Sequence, residues 1–154
     1  MSPQSTPSIG EIVTEVATFI GIDDHQRYSV YHVVDAAGRS IEKGRIDHQT
    51  PEVFSRLIQR WPHPRVVFEA SMNWHWLYEV LAQSLPSEPI TLANPFKTRI
   101  IAEAQLKTDK IDARILAQWL RADLISRVPI PAQETRQRKE VLRQRCFFVR
   151  QRTM

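Results

Sequence analysis

Two acidic residues in the run KTDKIDAR at 107–114 have the spacing of neighbours on a helix. Asp109 and Asp112 are three residues apart, and a helix would hold their Cβ atoms about 5 to 6 Å apart on one face. Carboxylates so placed repel each other unless a helix dipole or a bound cation offsets their charges. The pair therefore predicts either a helix start, with Asp109 as N-cap and Asp112 in the first turn, or a metal site.

Two further carboxylates favour the metal site. Asp23 follows the apolar run FIGI, and Glu69 follows the apolar run VVF, so we expect both on strands of one sheet. A carboxylate that enters a buried sheet needs a partner, which makes Glu69 difficult to explain as a purely structural residue. Asp23 and Asp24 could instead end a strand and open a turn. Because adjacent strand residues face opposite ways, only one of these two aspartates can point into a shared site.

Converging carboxylates suit phosphodiester chemistry. Two divalent cations about 3.5 to 4 Å apart can activate a nucleophile and stabilise the leaving oxygen. Mg²⁺ takes oxygen ligands in octahedral geometry, so several carboxylates must meet in one small volume. Asp23, Glu69, Asp109 and Asp112 could supply such catalytic and metal-binding carboxylates from one strand middle, one strand end and one helix. The predicted cofactor is Mg²⁺, in a two-metal site.

Short strands and helices in alternation would position these residues. The predicted strands occupy 17–24, 28–34, 40–46, 66–70 and 90–93, and helical patterns follow the third strand and each later one. Three antiparallel strands followed by alternating helices and strands predict an α/β fold with a mixed sheet of the ribonuclease H-like type. In such a sheet the strand after the first helix joins the first strand in parallel, which brings Asp23 and Glu69 together.

The length of the chain fits one catalytic domain, and its positive net charge fits a polyanionic binding partner. The chain has 154 residues, of which 21 are Lys or Arg and 17 are Asp or Glu, giving a net charge of +4. We predict a flexible leader at 1–16, a catalytic domain at 17–130, and at 131–154 the start of a basic helix. That last segment reads as a truncated coiled coil or linker, because it stops without a cap.

The cysteine count and the hydropathy of the chain indicate its cellular compartment. The single Cys146 cannot form an internal disulfide, which fits a reducing compartment. The sequence contains no signal peptide pattern and no apolar run long enough to span a bilayer. We therefore expect a cytoplasmic protein without a membrane partner.

Four motifs together resemble one family of transposases. In chain order they are GID at 21–23, FEAS at 68–71, NP at 94–95 and KTDKIDA at 107–113. These motifs resemble the DEDD transposases of bacterial insertion sequences, family one hundred and ten. The resemblance implies a RuvC-like catalytic domain that cleaves and rejoins DNA with a magnesium-binding tetrad. Carried over to this chain, the tetrad is Asp23, Glu69, Asp109 and Asp112, which selects Asp23 over Asp24. DNA, a guide RNA and a homo-oligomer are the implied partners.

Two departures from the family pattern bear on activity. After Asp23 the family usually has an apolar residue and then a lysine, where this chain has Asp24 and Gln26. The family's C-terminal domain, which carries a serine that attacks DNA, is also missing, so we do not expect this chain to transpose alone.

The predicted nucleic-acid-binding residues surround the presumed pocket, although a solvated helix face explains them equally well. They are Lys97, Arg99, Lys107, Lys110 and Arg114.

Two other classes of protein stay open. One is a ribonuclease H-like fragment that binds nucleic acid without catalysis. The two departures from the family pattern favour this class. The other is an actin-like phosphotransferase, which needs a glycine-rich phosphate loop that the sequence DHQR at 24–27 does not supply.

Overall fold

The computed structural model describes residues 17–61, 63–71, 74–85, 89–105 and 112–152, with the backbone alone at 101–105. These residues form five strands and five helices. The strands are β1 (Thr18–Asp24), β2 (Tyr28–Val34), β3 (Ser40–Asp47), β4 (Pro64–Glu69) and β5 (Ile90–Ala93). The helices are α1 (Glu52–Gln59), α2 (Trp74–Ser84), α3 (Pro95–Gln105), α4 (Ala113–Arg121) and α5 (Gln133–Arg152). The predicted leader at 1–16 lies outside the described residues.

The strands form one mixed sheet in the order β3-β2-β1-β4-β5. β1 pairs antiparallel with β2, which pairs antiparallel with β3, whereas β4 runs parallel to β1 and β5 runs parallel to β4. This topology is the predicted ribonuclease H-like fold, and the predicted strand ends agree with the observed ones to within two residues. The register places Ile22 opposite Phe68, so the carboxyl ends of the two central strands coincide.

Each face of the sheet has its own apolar core, because successive strand residues point to opposite sides. On the face covered by α1 and α2, Ile22 and Phe68 are buried with Phe54 and other apolar side chains. On the opposite face, Phe19 and Val67 are buried against α4. We call these the α1/α2 face and the α4 face.

Side-chain caps explain where α3 and α4 begin. The Asn94 Oδ1 atom accepts hydrogen bonds from the backbone N–H groups of Phe96 and Lys97, at 3.1 and 3.2 Å, and so caps α3. At α4 the Asp112 Oδ1 atom accepts from the Ile115 N–H at 3.0 Å. The prediction that Asp112 lies inside the first helical turn is therefore wrong, because Asp112 is itself the N-cap. Asp109 lies outside the described residues.

The predicted basic helix is present as α5, which is anchored near its start. Arg136 is buried, and its guanidinium donates hydrogen bonds to the Pro131 carbonyl at 2.7 Å and to Glu79 Oε1 at 2.5 Å. Farther along α5 several large apolar side chains are exposed: Val141, Leu142, Phe147, Phe148 and Val149. None of the helices in the described ranges is both long and apolar enough to cross a membrane.

Candidate active site

Asp23 and Glu69 lie side by side at the carboxyl ends of β1 and β4. Each follows the paired residues Ile22 and Phe68, which point into the core of the α1/α2 face. By strand alternation the two carboxylates therefore share the α4 face. The prediction that parallel pairing brings Asp23 and Glu69 together is confirmed by this register.

Glu69 is the more constrained of the two carboxylates. Its Oε1 atom is buried and finds no hydrogen-bond partner among the described residues. Burial, and secondarily the negative charge of Asp23, raise the pKa of Glu69 above its ordinary value. A buried carboxylate oxygen without a donor, next to a second carboxylate, is a position that a cation would stabilise.

Asp23 is more accessible, with 26% of its side chain exposed. Its Oδ2 atom lies 3.2 Å from Nε2 of His25, in the turn that follows β1. The His25 ring in turn contacts the ring of Tyr28, with centroids 4.6 Å apart. These contacts restrain the exposed carboxylate of Asp23, beside the buried Oε1 atom of Glu69.

Asp24 points to the α1/α2 face and belongs to a separate hydrogen-bond network. Its side chain is 1% exposed and accepts hydrogen bonds from Ser29 Oγ at 2.9 Å and Ser71 Oγ at 3.1 Å. His48 Nε2 lies 3.4 Å from Asp24 Oδ1 and 2.9 Å from Ser29 Oγ. As expected from alternation, only Asp23 of the two adjacent aspartates faces Glu69.

The network around Asp24 is a feature that the sequence analysis missed. It ties the end of β1 to the segment after β4, since Ser71 follows Glu69 by two residues. Its members are far apart in the sequence, so no spacing signals it. The only available sign was that an aspartate beside an apolar strand needs partners.

The N-terminus of α4 lies close to β1, on the same face as Asp23. A Cβ atom added to Gly21 would lie only 2.0 Å from the carbonyl oxygen of Ala113. Asp112 is exposed at this helix end, where its carboxylate serves as the cap. In the part of the chain that the structure describes, no three His, Cys, Asp or Glu side chains are grouped closely enough to hold a metal ion. The structure thus brings Asp23 and Glu69 together and holds Asp112 in a cap, and the full tetrad stays a prediction.

The predicted nucleic-acid-binding residues divide into three groups. Lys97 and Arg99 are exposed on α3, and Arg114 is exposed in the first turn of α4. Lys107 and Lys110 lie outside the described residues.

Similarity to solved structures is distant. The Thermus thermophilus RuvC structure is 14% identical, with 76% of this chain and 84% of that chain covered and a TM-score of 0.44. A ROK family transcriptional regulator, a homolog of the E. coli MLC protein, is 12% identical, with 58% and 31% covered and a TM-score of 0.38. Neither likeness is close enough to carry an argument about function.

Sequence comparison is more specific. No curated protein matches the chain. Residues 20–154, however, match the DEDD transposase family of IS110 elements, whose description is "Transposase". The match spans both sheet faces, the Asp23–Glu69 pair and α5. The chain therefore belongs to the IS110-type DEDD transposase family.

Proposed function

We propose that this chain is the metal-dependent catalytic domain of a DNA transposase, which cleaves and rejoins the DNA of an insertion sequence. The observation that carries the proposal is the Oε1 atom of Glu69 beside Asp23, which is buried without a hydrogen-bond partner among the described residues, in a member of a transposase family. Asp109 and Asp112 would complete the tetrad.

The residues present fit Mg²⁺. The ligand atoms would be carboxylate oxygens, which this ion prefers, and one of them is buried without a hydrogen-bond donor in the described part of the chain. Asp23 is open enough to share a ligand position with substrate oxygens. When bound, divalent cations polarise the scissile phosphate and lower the pKa of a coordinated water.

The chain's own residues would position these ligands. Asp24 fixes the end of β1 through Ser29 and fixes the segment after β4 through Ser71, so that Asp23 and Glu69 keep their separation. The partial burial of Glu69 limits the water around it and so strengthens its interaction with a cation.

The proposal includes partners. Membership of the transposase family favours DNA as substrate, and we infer a guide RNA, self-association and action in the cytoplasm on the same ground.

Ion binding tests the proposal directly. Isothermal titration with Mg²⁺, and electron paramagnetic resonance with Mn²⁺, would be compared for the unaltered chain, Asp23→Asn and Glu69→Gln. We expect each substitution to weaken ion binding by at least about tenfold, because each removes an anionic ligand. In a DNA cleavage assay the same variants should be inactive.

Glu134→Gln is the matched control, since Glu134 is an exposed acid at the start of α5 with 74% of its side chain accessible. Its ion binding should equal that of the unaltered chain. Unchanged Mn²⁺ binding by a folded Asp23→Asn variant would refute the metal site.

The cap formed by Asp112 favours a second candidate, in which the chain binds nucleic acid without catalysis. In that case the Asp112 carboxylate serves only the N–H of Ile115. The two functions separate in the same titration, because a binding module should show no ion binding that depends on Asp23 or Glu69.

A further inference from the structure

We propose that the part of the α4 face formed by β2 and β3 binds the DNA backbone and directs it to the Asp23–Glu69 pair. Its cationic surface consists of Lys43 and Arg45 on β3 together with Arg114 on α4. The inference rests on the proposed function, since it takes the acidic pair as the place of DNA cleavage. Lys43 and Arg45 are not among the residues predicted from the sequence.

A line of side-chain contacts connects β3 to the acidic pair. The guanidinium carbon of Arg45 lies 3.7 Å from the centroid of the Tyr28 ring. The Tyr28 ring is 4.6 Å from that of His25, whose Nε2 atom is 3.2 Å from Asp23 Oδ2. A guanidinium stacked on a ring keeps its N–H edges available for phosphate oxygens. Arg45 therefore offers a phosphate contact next to the proposed cleavage site.

Lys43 and Arg114 both line a groove that includes Val30, the residue that β2 places between Asp23 and Arg45. The groove has a volume of about 730 Å³, and its lining includes Val30, His32, Lys43 and Arg114 together with the acidic residues Glu42 and Asp112. Burial lowers the pKa of His32, the charges of Arg114 and Lys43 lower it further, and the charge of Asp112 acts in the opposite direction. Val30 pairs with Asp23 across β1 and β2, so this groove opens beside the acidic pair.

The spacing of the two β3 cations suits a phosphate chain. Lys43 and Arg45 are two residues apart on a strand, so they project to the same face about 7 Å apart. That distance is about the axial rise of two nucleotides in one strand of B-DNA. Both side chains are exposed, and among the described elements α4 packs mainly against β1, β2 and β4.

The acidic residues of this region do not cancel the cationic surface. Glu42 points to the opposite face, where it accepts hydrogen bonds from Tyr31 and Arg60, each at 2.6 Å. Asp112 caps α4, and Asp47 Oδ1 accepts a hydrogen bond from the Gln49 N–H at 3.1 Å. Each of these three carboxylates thus has a hydrogen-bond partner, whereas the Glu69 Oε1 atom at the proposed metal site has none among the described residues.

Salt-dependent DNA binding tests this surface without any divalent ion. Fluorescence anisotropy in EDTA would measure the affinity of the full chain for a labelled DNA duplex between 50 and 200 mM salt. For Lys43→Ala combined with Arg45→Ala, we expect about a tenfold loss of affinity at 50 mM salt. The slope of log K against log salt concentration should fall in magnitude by about 1.8, because each phosphate contact contributes about 0.9.

The matched control removes the same charge from the α1/α2 face. Arg56 and Arg60 are exposed on and after α1, and their double alanine variant should keep the slope of the unaltered chain. The charge-preserving variant with Lys43→Arg and Arg45→Lys should recover most of the affinity. Equal losses in the β3 and α1 double variants would overturn the inference, since they would show only an effect of net charge.

Two more comparisons separate this inference from neighbouring ones. Asp23→Asn should bind DNA in EDTA at least as tightly as the unaltered chain, whether or not it has lost ion binding. The DNA-binding measurement can therefore be interpreted even if the ion-binding experiment contradicts the proposed metal site. If the β3 variant weakens binding of an RNA duplex of the same sequence but not of the DNA duplex, the assignment of this surface to DNA is overturned.

Discussion

The folded chain places the carboxylate of Glu69 in an unfavourable environment. Its Oε1 atom is buried without a hydrogen-bond donor among the described residues, and the neighbouring Asp23 carries a like charge. The folded state therefore holds a proton on Glu69 more tightly than the unfolded chain does. Between the ordinary pKa and the raised one, the free energy of unfolding falls as pH rises, and above the raised pKa the loss is complete.

Glu69→Gln should consequently stabilise the protein when divalent ions are removed. We expect a gain of about 1 kcal/mol in the free energy of unfolding at pH 7, in the range for relieving an unfavourable charge. The gain should shrink as the pH is lowered and disappear near pH 3, well below the ordinary pKa of 4.5, where the carboxyl of Glu69 is protonated in both states. Urea unfolding followed by circular dichroism at the two pH values provides the measurement.

A control substitution should show the opposite sign. Glu52 lies in the first turn of α1, where its charge is favourable for the helix dipole, so Glu52→Gln should lower stability slightly at pH 7. A loss of stability in Glu69→Gln at pH 7 would contradict the interpretation that the ionised carboxylate of Glu69 destabilises the folded state. In excess Mg²⁺ the ranking should reverse, because only the unaltered chain gains a bound ion.

The contact between β1 and α4 decides how closely the helix end approaches the acidic pair. Gly21 allows this contact, because a Cβ atom there would lie 2.0 Å from Ala113 O and 2.7 Å from Ala117 N. Both of these are backbone atoms of the helix, so no side-chain rotation can relieve the overlap. The glycine of the GID motif is therefore required for packing two residues before Asp23.

Gly21→Ala should displace α4 and lower the free energy of unfolding by about 3 kcal/mol, at the upper end for overpacked cores. Gly44→Ala is the matched control, because its added methyl would meet the Tyr31 side chain, which can move. Thermal unfolding compares their stabilities, and amide chemical shifts report on α4. Similar losses in both variants, with α4 unperturbed, would argue against this packing role.

Across the whole molecule, α5 is joined to the domain through few described contacts. Arg136 is buried, bonds to Glu79 and Pro131, and lies with its guanidinium carbon 4.8 Å from the Tyr78 ring centroid. The other cations of α5 are exposed, as are the apolar residues of its second half. Arg136 therefore anchors the start of α5 to α2.

Arg136→Ala should release α5 without unfolding the sheet. We expect hydrogen exchange in α5 to become at least about tenfold faster, since losing a partly buried, charged hydrogen-bond set costs roughly 1.5 to 3 kcal/mol. Exchange in β1 and β4 should not change.

Arg138→Ala serves as the comparison, because Arg138 is 77% exposed and pairs only with Glu134 in the described contacts. It should leave exchange in α5 nearly unaltered. Equal protection of α5 in the Arg136→Ala variant and the unaltered chain would show that other contacts hold the helix.

The sequence by itself determined the elements and the central pairing. Apolar runs of β-branched residues identify the strands, and their order admits a ribonuclease H-like sheet in which β4 joins β1. That pairing places Asp23 beside Glu69, because strand period and parallel register are local, repetitive properties. The basic character of α5 is also visible in composition alone.

Only the tertiary structure decided the surroundings of that pair. It turned Asp24 away into contacts with Ser29, His48 and Ser71, and it placed Asp112 outside the first turn of α4. These outcomes depend on contacts between side chains that are distant in sequence, or on a helix beginning a few residues later than its pattern suggests. Neither has a periodic signal, so packing and capping in the folded chain had to select among arrangements that the sequence left open.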